Sequence, residues 1–238
     1  GVPRIKELLN YSKNIKTPKM SIYLKPEYRE NKPMASAILS SLKYVSIEEL
    51  VNKAQIFYNP GLSEKTDEGL LLKADKVENP FYANNQKVDI KTLPFVIRLV
   101  IDREKMLDKE VTLLDIKTKF IILWNSNFSE LKNMKRNEKD IISKVIRCAI
   151  LANYDTSPIP VIHIRFNMSS YNFEIIKEFF NIVLDKITLK GIEKVDSAEI
   201  SNERLLTFND ENGDIEIKKQ NVVYTDGINL VDIRYIKG

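Results

Sequence analysis

The clearest strand pattern in the first half of the chain is Phe95-Val96-Ile97-Arg98-Leu99-Val100-Ile101. One face of this segment carries Phe95, Ile97, Leu99 and Ile101, and the other face carries Val96, Arg98 and Val100, as expected for a β-strand. A charged turn at Asp102-Arg103 follows it, and a helix is predicted from Thr112. Because strands and helices intermix along the chain without a regular βαβ repeat, we predict an α+β fold with small, mostly antiparallel sheets flanked by helices.

The elements around this strand are predicted from periodicity and turn residues. We expect strands at 20–24, 54–58, 161–166, 198–200, 215–217 and 222–224, and helices at 3–13, 33–42 and 171–185. The last helix is expected to be amphipathic, with Phe173, Ile176, Phe180 and Val183 on its apolar face, and Ser46 with Glu49 fits a capping box for a short helical turn. Residues 132–139 are predicted to form a basic loop, 61–92 to be irregular, and 141–151 to be either a strand pair or a helix. Asn212-Gly213 is a strong hairpin signal.

Composition limits the kinds of protein this can be. The chain has 238 residues, 43% of them hydrophobic, and a formal net charge of +4, which allows nucleic acid nearby without requiring it. Cys148 is the one cysteine, so the chain has no internal disulfide and no cysteine-only zinc site, which fits a reducing, intracellular compartment. There is no run of 18 apolar residues and no signal peptide, so no membrane partner is expected.

The residues that usually carry chemistry do not form a catalytic pattern. The single histidine, His163, lies between Ile162 and Ile164, where a packed side chain is favoured over catalysis. Cys148 has apolar neighbours and is predicted to be a buried, inert thiol. The carboxylates at 102–110 are mixed with basic side chains and favour a solvated turn over a metal site. With 7 glycines scattered along the chain, neither a P-loop nor a dinucleotide fingerprint can form.

Several blocks of the chain resemble the largest subunit of multisubunit DNA-dependent RNA polymerases. The first is Gly1-Val2-Pro3-Arg4-Ile5-Lys6-Glu7-Leu8-Leu9-Asn10 with Lys13-Asn14-Ile15-Lys16-Thr17-Pro18, which looks like the segment just after the trigger loop. Later blocks at 21–24, 54–60, 93–113, 187–193 and 224–230 keep the family's order, with Asn59 where Asp is usual and Phe95 where Trp is common. The likeness is to the eukaryotic polymerase II form and its relatives in large DNA viruses.

This resemblance implies an organisation and a set of partners. Residues 1–44 would form a cleft segment with the base of the trigger loop, 45–190 an inserted jaw lobe, and 191–238 a returning cleft segment. The piece would surround downstream duplex DNA and would contact the second-largest subunit, a small zinc-ribbon subunit and a transcript-cleavage factor. The catalytic aspartates that hold magnesium would lie upstream, so the polymerase would be the nucleotidyltransferase, while this piece carries no catalytic residue, metal ligand or cofactor.

The resemblance also suggests four contact residues. Arg4, Lys6, Lys13 and Lys16 would lie at the base of the trigger loop or contact nucleic acid, and the alternative is a solvated helix face. The competing interpretation of the whole chain is a stand-alone, jaw-derived module that binds polymerase subunits or nucleic acid. A stand-alone gene product is expected to open with Met, whereas this chain opens with Gly1. The location would be the nucleus, or the cytoplasm or virion for a viral protein.

One expectation concerns long-range pairing. A strand near Ile22 needs partners for its backbone groups, and the strands near Ile200 and Tyr224 can supply them. The helices predicted at 33–42 and 171–185 are the candidates to cover that sheet.

Overall fold

The computed structural model describes residues 5, 18–58, 81–82, 90–131, 134–208 and 215–236. The chain divides into two compact units. We call residues 1–44 with 190–238 the split unit, and residues 45–189 the continuous unit. The described helices are α1 (Pro26–Arg29), α2 (Lys32–Leu42), α3 (Ile47–Leu50), α4 (Arg103–Asp108), α5 (Leu113–Asn125), α6 (Arg136–Lys144) and α7 (Phe173–Lys186). The described strands are β1 (Lys19–Tyr23), β2 (Val45–Ser46), β3 (Val51–Tyr58), β4 (Phe81–Tyr82), β5 (Phe95–Ile101), β6 (Val145–Ala152), β7 (Val161–Met168), β8 (Thr188–Lys190), β9 (Ser197–Phe208) and β10 (Ile215–Asp226).

The split unit is built on a three-stranded antiparallel sheet with the order β1–β10–β9. Ile22 pairs with Val223, and Val223 pairs with Ile200, so a strand from the start of the chain closes a sheet made by its end. This confirms the predicted pairing. The segments predicted as separate strands at 215–217 and 222–224 are one continuous strand, because the ladder with β9 runs through Gln220 and Asn221 without interruption.

Helix α2 covers this sheet. Asn31 caps the helix by accepting a hydrogen bond from the amide of Met34, and Pro33 lies in the first turn, where its missing N–H is not needed. Its buried face presents Ile38 and Leu42, which join a core containing Val195 and Val223. The predicted role of the helix at 171–185 as a second cover was wrong, since that helix, α7, belongs to the core of the continuous unit.

The continuous unit contains a five-stranded sheet with the order β3–β5–β7–β6–β4. All of its pairings are antiparallel, and β5, β7 and β6 have strand neighbours on both sides. One face of the sheet packs against α5 and α7 through a large apolar core that includes Leu99, Phe120, Phe166 and Phe179, all with no exposed surface. The α+β fold with antiparallel sheets and flanking helices is therefore confirmed.

Helix α5 begins where Thr112 supplies an N-cap. The Thr112 hydroxyl accepts a hydrogen bond from the amide of Asp115, and the Asp115 carboxylate accepts one from the amide of Thr112 at 2.8 Å. The Asp155 carboxylate accepts a third bond, from the amide of Leu113 at 2.7 Å. Three of the amides at this helix start are thus satisfied by side chains.

Replacing Thr112 with alanine should lower the free energy of unfolding by about 1 kcal/mol, because the amide of Asp115 loses its acceptor. Urea unfolding would measure the change. Thr118→Ala is the matched control, since Thr118 is an exposed residue within the same helix and alanine there is a better helix former. Equal effects of the two substitutions would contradict the assigned role of the cap.

Two local predictions require correction. The basic segment 132–139 is not a loop throughout, because α6 begins at Arg136 and the amide of Lys135 donates to the Glu138 carboxylate at 2.7 Å; residues 132–133 lie outside the described residues. Phe173 is not buried but 74% exposed, because it occupies the first turn of α7 and the helix turns Phe179 into the core instead. The ambiguous segment 141–151 contains both a helix end and a strand, which meet at Lys144 and Val145.

Candidate interaction surface

The four basic residues singled out from the sequence, Arg4, Lys6, Lys13 and Lys16, lie outside the described residues. All of the predicted helix at 3–13 except Ile5, the predicted turn at Asn212-Gly213 and most of the segment 61–92 lie outside them as well. The surface features that follow were not found by sequence reasoning.

A polar groove of about 330 Å³ runs between helices α6 and α7 of the continuous unit. Its floor is apolar, since it contains the buried side chains of Ile141 and Ile182. Its rim is held by an ion pair between the two helices, in which Lys186 Nζ lies 3.5 Å from Glu138 Oε1. The amide of Lys135 donates to the other oxygen of the same carboxylate, so Glu138 has a fixed position.

The groove and the shallower hollow beside it carry an excess of negative charge. Five acidic and three basic side chains line the two depressions, namely Glu138, Asp140, Glu174, Glu178, Asp185, Lys135, Lys144 and Lys186. The chain as a whole is positive, with a formal charge of +4. This surface therefore favours a cationic segment and disfavours DNA phosphate. The sequence signal was weak, because the acidic residues are shared between two segments that only the fold brings together.

The second face of the continuous unit's sheet contains a buried group of basic side chains. His163 is 1% exposed and Arg165 is fully buried, on the face of β7 opposite the apolar core. Arg98 pairs with His163 across the strands, and Arg165 Nη1 donates to the carbonyl oxygen of Leu93 at 3.1 Å. Neither ring nitrogen of His163 has a hydrogen-bond partner in the part of the chain that the structure describes.

This environment keeps His163 uncharged at neutral pH. Burial, followed by the positive charges of Arg98 and Arg165, lowers the pKa of His163 from its ordinary value of 6.5 to about 3. A proton carrier for general acid–base catalysis needs a pKa near the working pH and access to a substrate, and His163 has neither. Its predicted role as a packed histidine is consistent with this position.

Cys148 is similarly inert. It has no exposed surface, and burial raises the pKa of its thiol, so the nucleophilic thiolate is not available.

Among the described residues, no group of three or more His, Cys, Asp or Glu side chains is placed to hold a metal ion. No described helix is both long enough and apolar enough to cross a bilayer. The Asp102 carboxylate, considered from sequence as a metal ligand or a solvated turn, instead caps helix α4 through the amides of Glu104 and Lys105.

Comparison with known proteins identifies the family. The family model described as RNA polymerase Rpb1, domain 7, matches residues 45–190, which is nearly the same segment as the continuous unit. The chain is also 38% identical, over 243 aligned positions that include all of it, to DNA-directed RNA polymerase subunit 1 of Acanthamoeba polyphaga mimivirus. The chain belongs to the family of the largest RNA polymerase subunit.

The part of the family that this chain represents is limited. The chain spans only 16% of the length of its mimivirus relative. Phe95 packs at the centre of an aromatic group, with its ring centroid 5.3 Å from Tyr58, 5.5 Å from Phe166 and 5.4 Å from Tyr171. Aromatic contacts at these distances hold the ends of β3, β5 and β7 together.

Proposed function

We propose that this chain is a non-catalytic, structural part of the largest subunit of a DNA-dependent RNA polymerase. The observation that carries the proposal is the 38% identity to a polymerase largest subunit over the whole chain. A second observation supports it: the segment matched by the Rpb1 family model and the compact unit at 45–189 coincide to within one residue at each end. The continuous unit is then the jaw, and the split unit is the part of the cleft that the jaw interrupts.

The proposed role is to shape the path of downstream duplex DNA and to anchor one end of the trigger loop during transcription. The segment before Pro18 would form that anchor, with Arg4, Lys6, Lys13 and Lys16 at the base of the loop or against DNA phosphate. Contacts of this kind position the duplex without reading its sequence. An anchored loop end influences turnover through the geometry of closure.

The chemistry of nucleotidyl transfer would belong to the rest of the polymerase. The described residues offer an uncharged, buried histidine and a buried thiol, and no cluster suited to a metal. The magnesium of the whole enzyme would be held by aspartates outside this chain, where it stabilises the attacking and leaving oxygens.

The proposed partners are the other polymerase subunits, including the second-largest and a small zinc-ribbon subunit, together with a transcript-cleavage factor and downstream DNA. The acidic groove between α6 and α7 supports a protein contact on that side of the jaw. Its charge suits a basic segment of such a partner, whereas DNA would be repelled from it. DNA would therefore approach the jaw elsewhere.

A test of the function is the size of the polypeptide that carries this sequence in its source. An antibody raised against residues 45–189 should detect one polypeptide several times longer than 238 residues, and immunodepletion should remove magnesium-dependent RNA synthesis from the extract. The purified 238-residue chain should show no nucleotidyl transfer of its own, because it lacks the metal-holding aspartates of the family.

The competing function, a stand-alone jaw-derived module, makes the opposite prediction. The antibody would then detect a short polypeptide that separates from the polymerase, and depletion would leave RNA synthesis unchanged. Preimmune serum is the control for non-specific depletion.

Binding of the 238-residue chain to duplex DNA should be weak, independent of sequence and lost at moderate salt. If all four basic residues at the start of the chain contact phosphate, replacing Arg4, Lys6, Lys13 and Lys16 with glutamine should reduce the slope of log K against log salt concentration by about 4. Fluorescence anisotropy across a salt series would measure the slope.

The matched control replaces one arginine and three lysines that are exposed on the continuous unit, Arg103, Lys105, Lys139 and Lys177. This quadruple variant has the same net charge but should retain most of the slope. If the two quadruple variants lose the same slope, binding depends on overall charge, and the assignment of the four N-terminal residues is wrong. Tight binding of one sequence at physiological salt would contradict the proposed mode of contact.

A further inference from the structure

The hairpin formed by β9 and β10 extends beyond the sheet to which it belongs. Strand β1 pairs with β10 only from Val222 to Asp226, whereas β9 pairs with β10 along its full length from Ile215. In the part of the chain that the structure describes, residues Ile215 to Asn221 therefore have a strand neighbour on one side only. The outer half of the hairpin is a two-stranded ribbon.

On one face of this ribbon, the residues change from buried and apolar near the core to exposed charged and aliphatic residues farther out. Paired residues of an antiparallel ladder lie on the same face, and alternate residues along a strand share it. On the face that includes buried Val223 and its partly buried partner Ile200, the next rungs are Asn202–Asn221, Arg204–Lys219 and Leu206–Ile217, and Ile215 follows. We call Arg204, Leu206, Ile215, Ile217 and Lys219 the distal face.

The charged and apolar side chains named for the distal face are exposed to solvent. Leu206, Ile215 and Ile217 are 74%, 69% and 69% exposed and lie on adjacent rungs of this face, and adjoining exposed apolar side chains are a feature of interaction sites. Arg204 and Lys219 are exposed, face each other directly, and form no ion pair within the described residues. Like charges placed opposite each other destabilise a strand pair, so the Arg204–Lys219 pair destabilises this part of the hairpin. An anion bound between the two side chains would remove their repulsion.

The opposite face of the same ribbon does not place two cations opposite each other. There the Tyr224 hydroxyl donates to the Glu203 carboxylate at 2.6 Å, and this hydrogen bond raises the pKa of Tyr224 to about 12. Gln220 on that face is buried, at 5% exposure. Lys218 is exposed there and pairs with Leu205 rather than with a second cation. Within the described part of the hairpin, two cations face each other beside exposed aliphatic groups on the distal face and not on the opposite one.

We propose that the distal face binds an acidic, apolar polypeptide segment of the assembled polymerase. A carboxylate of that segment would lie against Arg204 and Lys219, where a charge-assisted pair is available. Its apolar side chains would cover Leu206, Ile217 and Ile215 and remove them from water. A phosphate of DNA or RNA could pair with Arg204 and Lys219, but the charged backbone would then lie against three aliphatic side chains and would not cover them favourably. A second copy of this chain would place its own Arg204 and Lys219 near the same cations, which would repel it.

Site-specific photo-crosslinking in the assembled polymerase tests this proposal. A photoreactive amino acid replaces Leu206 or Ile217 in one set of proteins and Lys218, on the opposite face, in the control. Peptides crosslinked at 206 and 217 should come from a segment rich in Asp or Glu and apolar residues, and position 218 should yield little of it. Lys219→Glu should reduce the crosslinked product at position 206 at least about fivefold, whereas Lys218→Glu, the same charge reversal one residue away, should not.

Each other outcome overturns the proposal. These outcomes are crosslinks to nucleic acid, to another copy of the chain, to a segment without acidic residues, or equally from all three positions, and the absence of any crosslink at 206 and 217. A charge exchange completes the test, because replacing the identified carboxylate with lysine should restore the product of Lys219→Glu. Unfolding curves of both charge variants should match the parent, which separates lost binding from lost folding.

The inference that the partner segment belongs to a polymerase rests on the proposed function. The two fail differently in the same experiment, because the size of the uncrosslinked polypeptide reports whether this sequence is part of a large subunit. The crosslinked peptides report only on the hairpin.

Discussion

Replacing Gly227 with alanine is expected to lower the free energy of unfolding by about 3 kcal/mol or more. Gly227 has a φ of +107°, in a region where side chains are strained, and a Cβ at this position would overlap the backbone carbonyl of Lys194. A backbone atom cannot move aside as the end of a flexible side chain can. The amide of Gly227 also donates to the carbonyl oxygen of Pro18 at 2.8 Å, so any shift disturbs the joining of β1 and β10.

Lys194, the residue that Gly227 approaches, provides a control substitution. Lys194 has a φ of +71° and an exposed side chain, so Lys194→Gly relieves strain and should leave stability unchanged or slightly raised. Urea unfolding of the parent, Gly227→Ala and Lys194→Gly measures both. If Gly227→Ala remains within about 1 kcal/mol of the parent, the close approach of the two segments is wrong.

The second large effect is a loss of stability in acid that depends on His163. The pKa of His163 is about 3 in the folded protein. In the unfolded chain, where the side chain is exposed to water, its pKa is taken as the ordinary value of 6.5. Between these values the unfolded chain binds a proton that the folded protein does not, so the free energy of unfolding falls as the pH falls from 6.5 toward 3. At pH 5 the loss from this group is about 2 kcal/mol relative to pH 7.5.

His163→Leu should remove this dependence. Leucine is apolar and similar in size, and neither ring nitrogen has a hydrogen-bond partner to lose in the described part of the chain, so stability at pH 7.5 should be maintained within about 1 kcal/mol. At pH 5 the variant should exceed the parent by about 2 kcal/mol. Because the chain has a single histidine, the difference between the two curves in this window has one source. Parallel curves between pH 7.5 and pH 5 would show that His163 is accessible to protons in the folded protein.

Local pattern was sufficient where an element's own side chains determine its conformation. The strand Phe95–Ile101, the N-cap Ser46, the helix start near Thr112 and the helix that includes Pro33 were predicted with their bounds close to those observed. Each depends on alternation, on a short-range hydrogen bond or on proline's fixed φ, which involve residues within a few positions of one another. Local pattern was misleading at Phe173, because this residue occupies the first turn of α7 and remains exposed, while Ile176 and Val183 of the same predicted face are buried.

The candidate surfaces depend on long-range pairing and so were not visible in the sequence. The acidic groove combines Glu138 with Glu178 from a distant helix, and the distal face aligns Arg204 with Lys219 through the register of a hairpin. A shift of one residue in that register would place the cations on opposite faces, and nothing in the neighbouring sequence reveals which register forms.

By itself, the amino-acid sequence determined the α+β class, the main helices and strands, the absence of a catalytic pattern, and a family resemblance that comparison then established. These properties reside in short segments and in residue identity. Only the tertiary structure decided that α7 belongs to the core of the continuous unit, that His163 is buried uncharged beside Arg98 and Arg165, and that the outer hairpin presents two cations opposite each other beside exposed aliphatic groups. The physical reason is that burial, electrostatic environment and strand register are set by contacts between residues far apart in the chain, which local periodicity cannot specify.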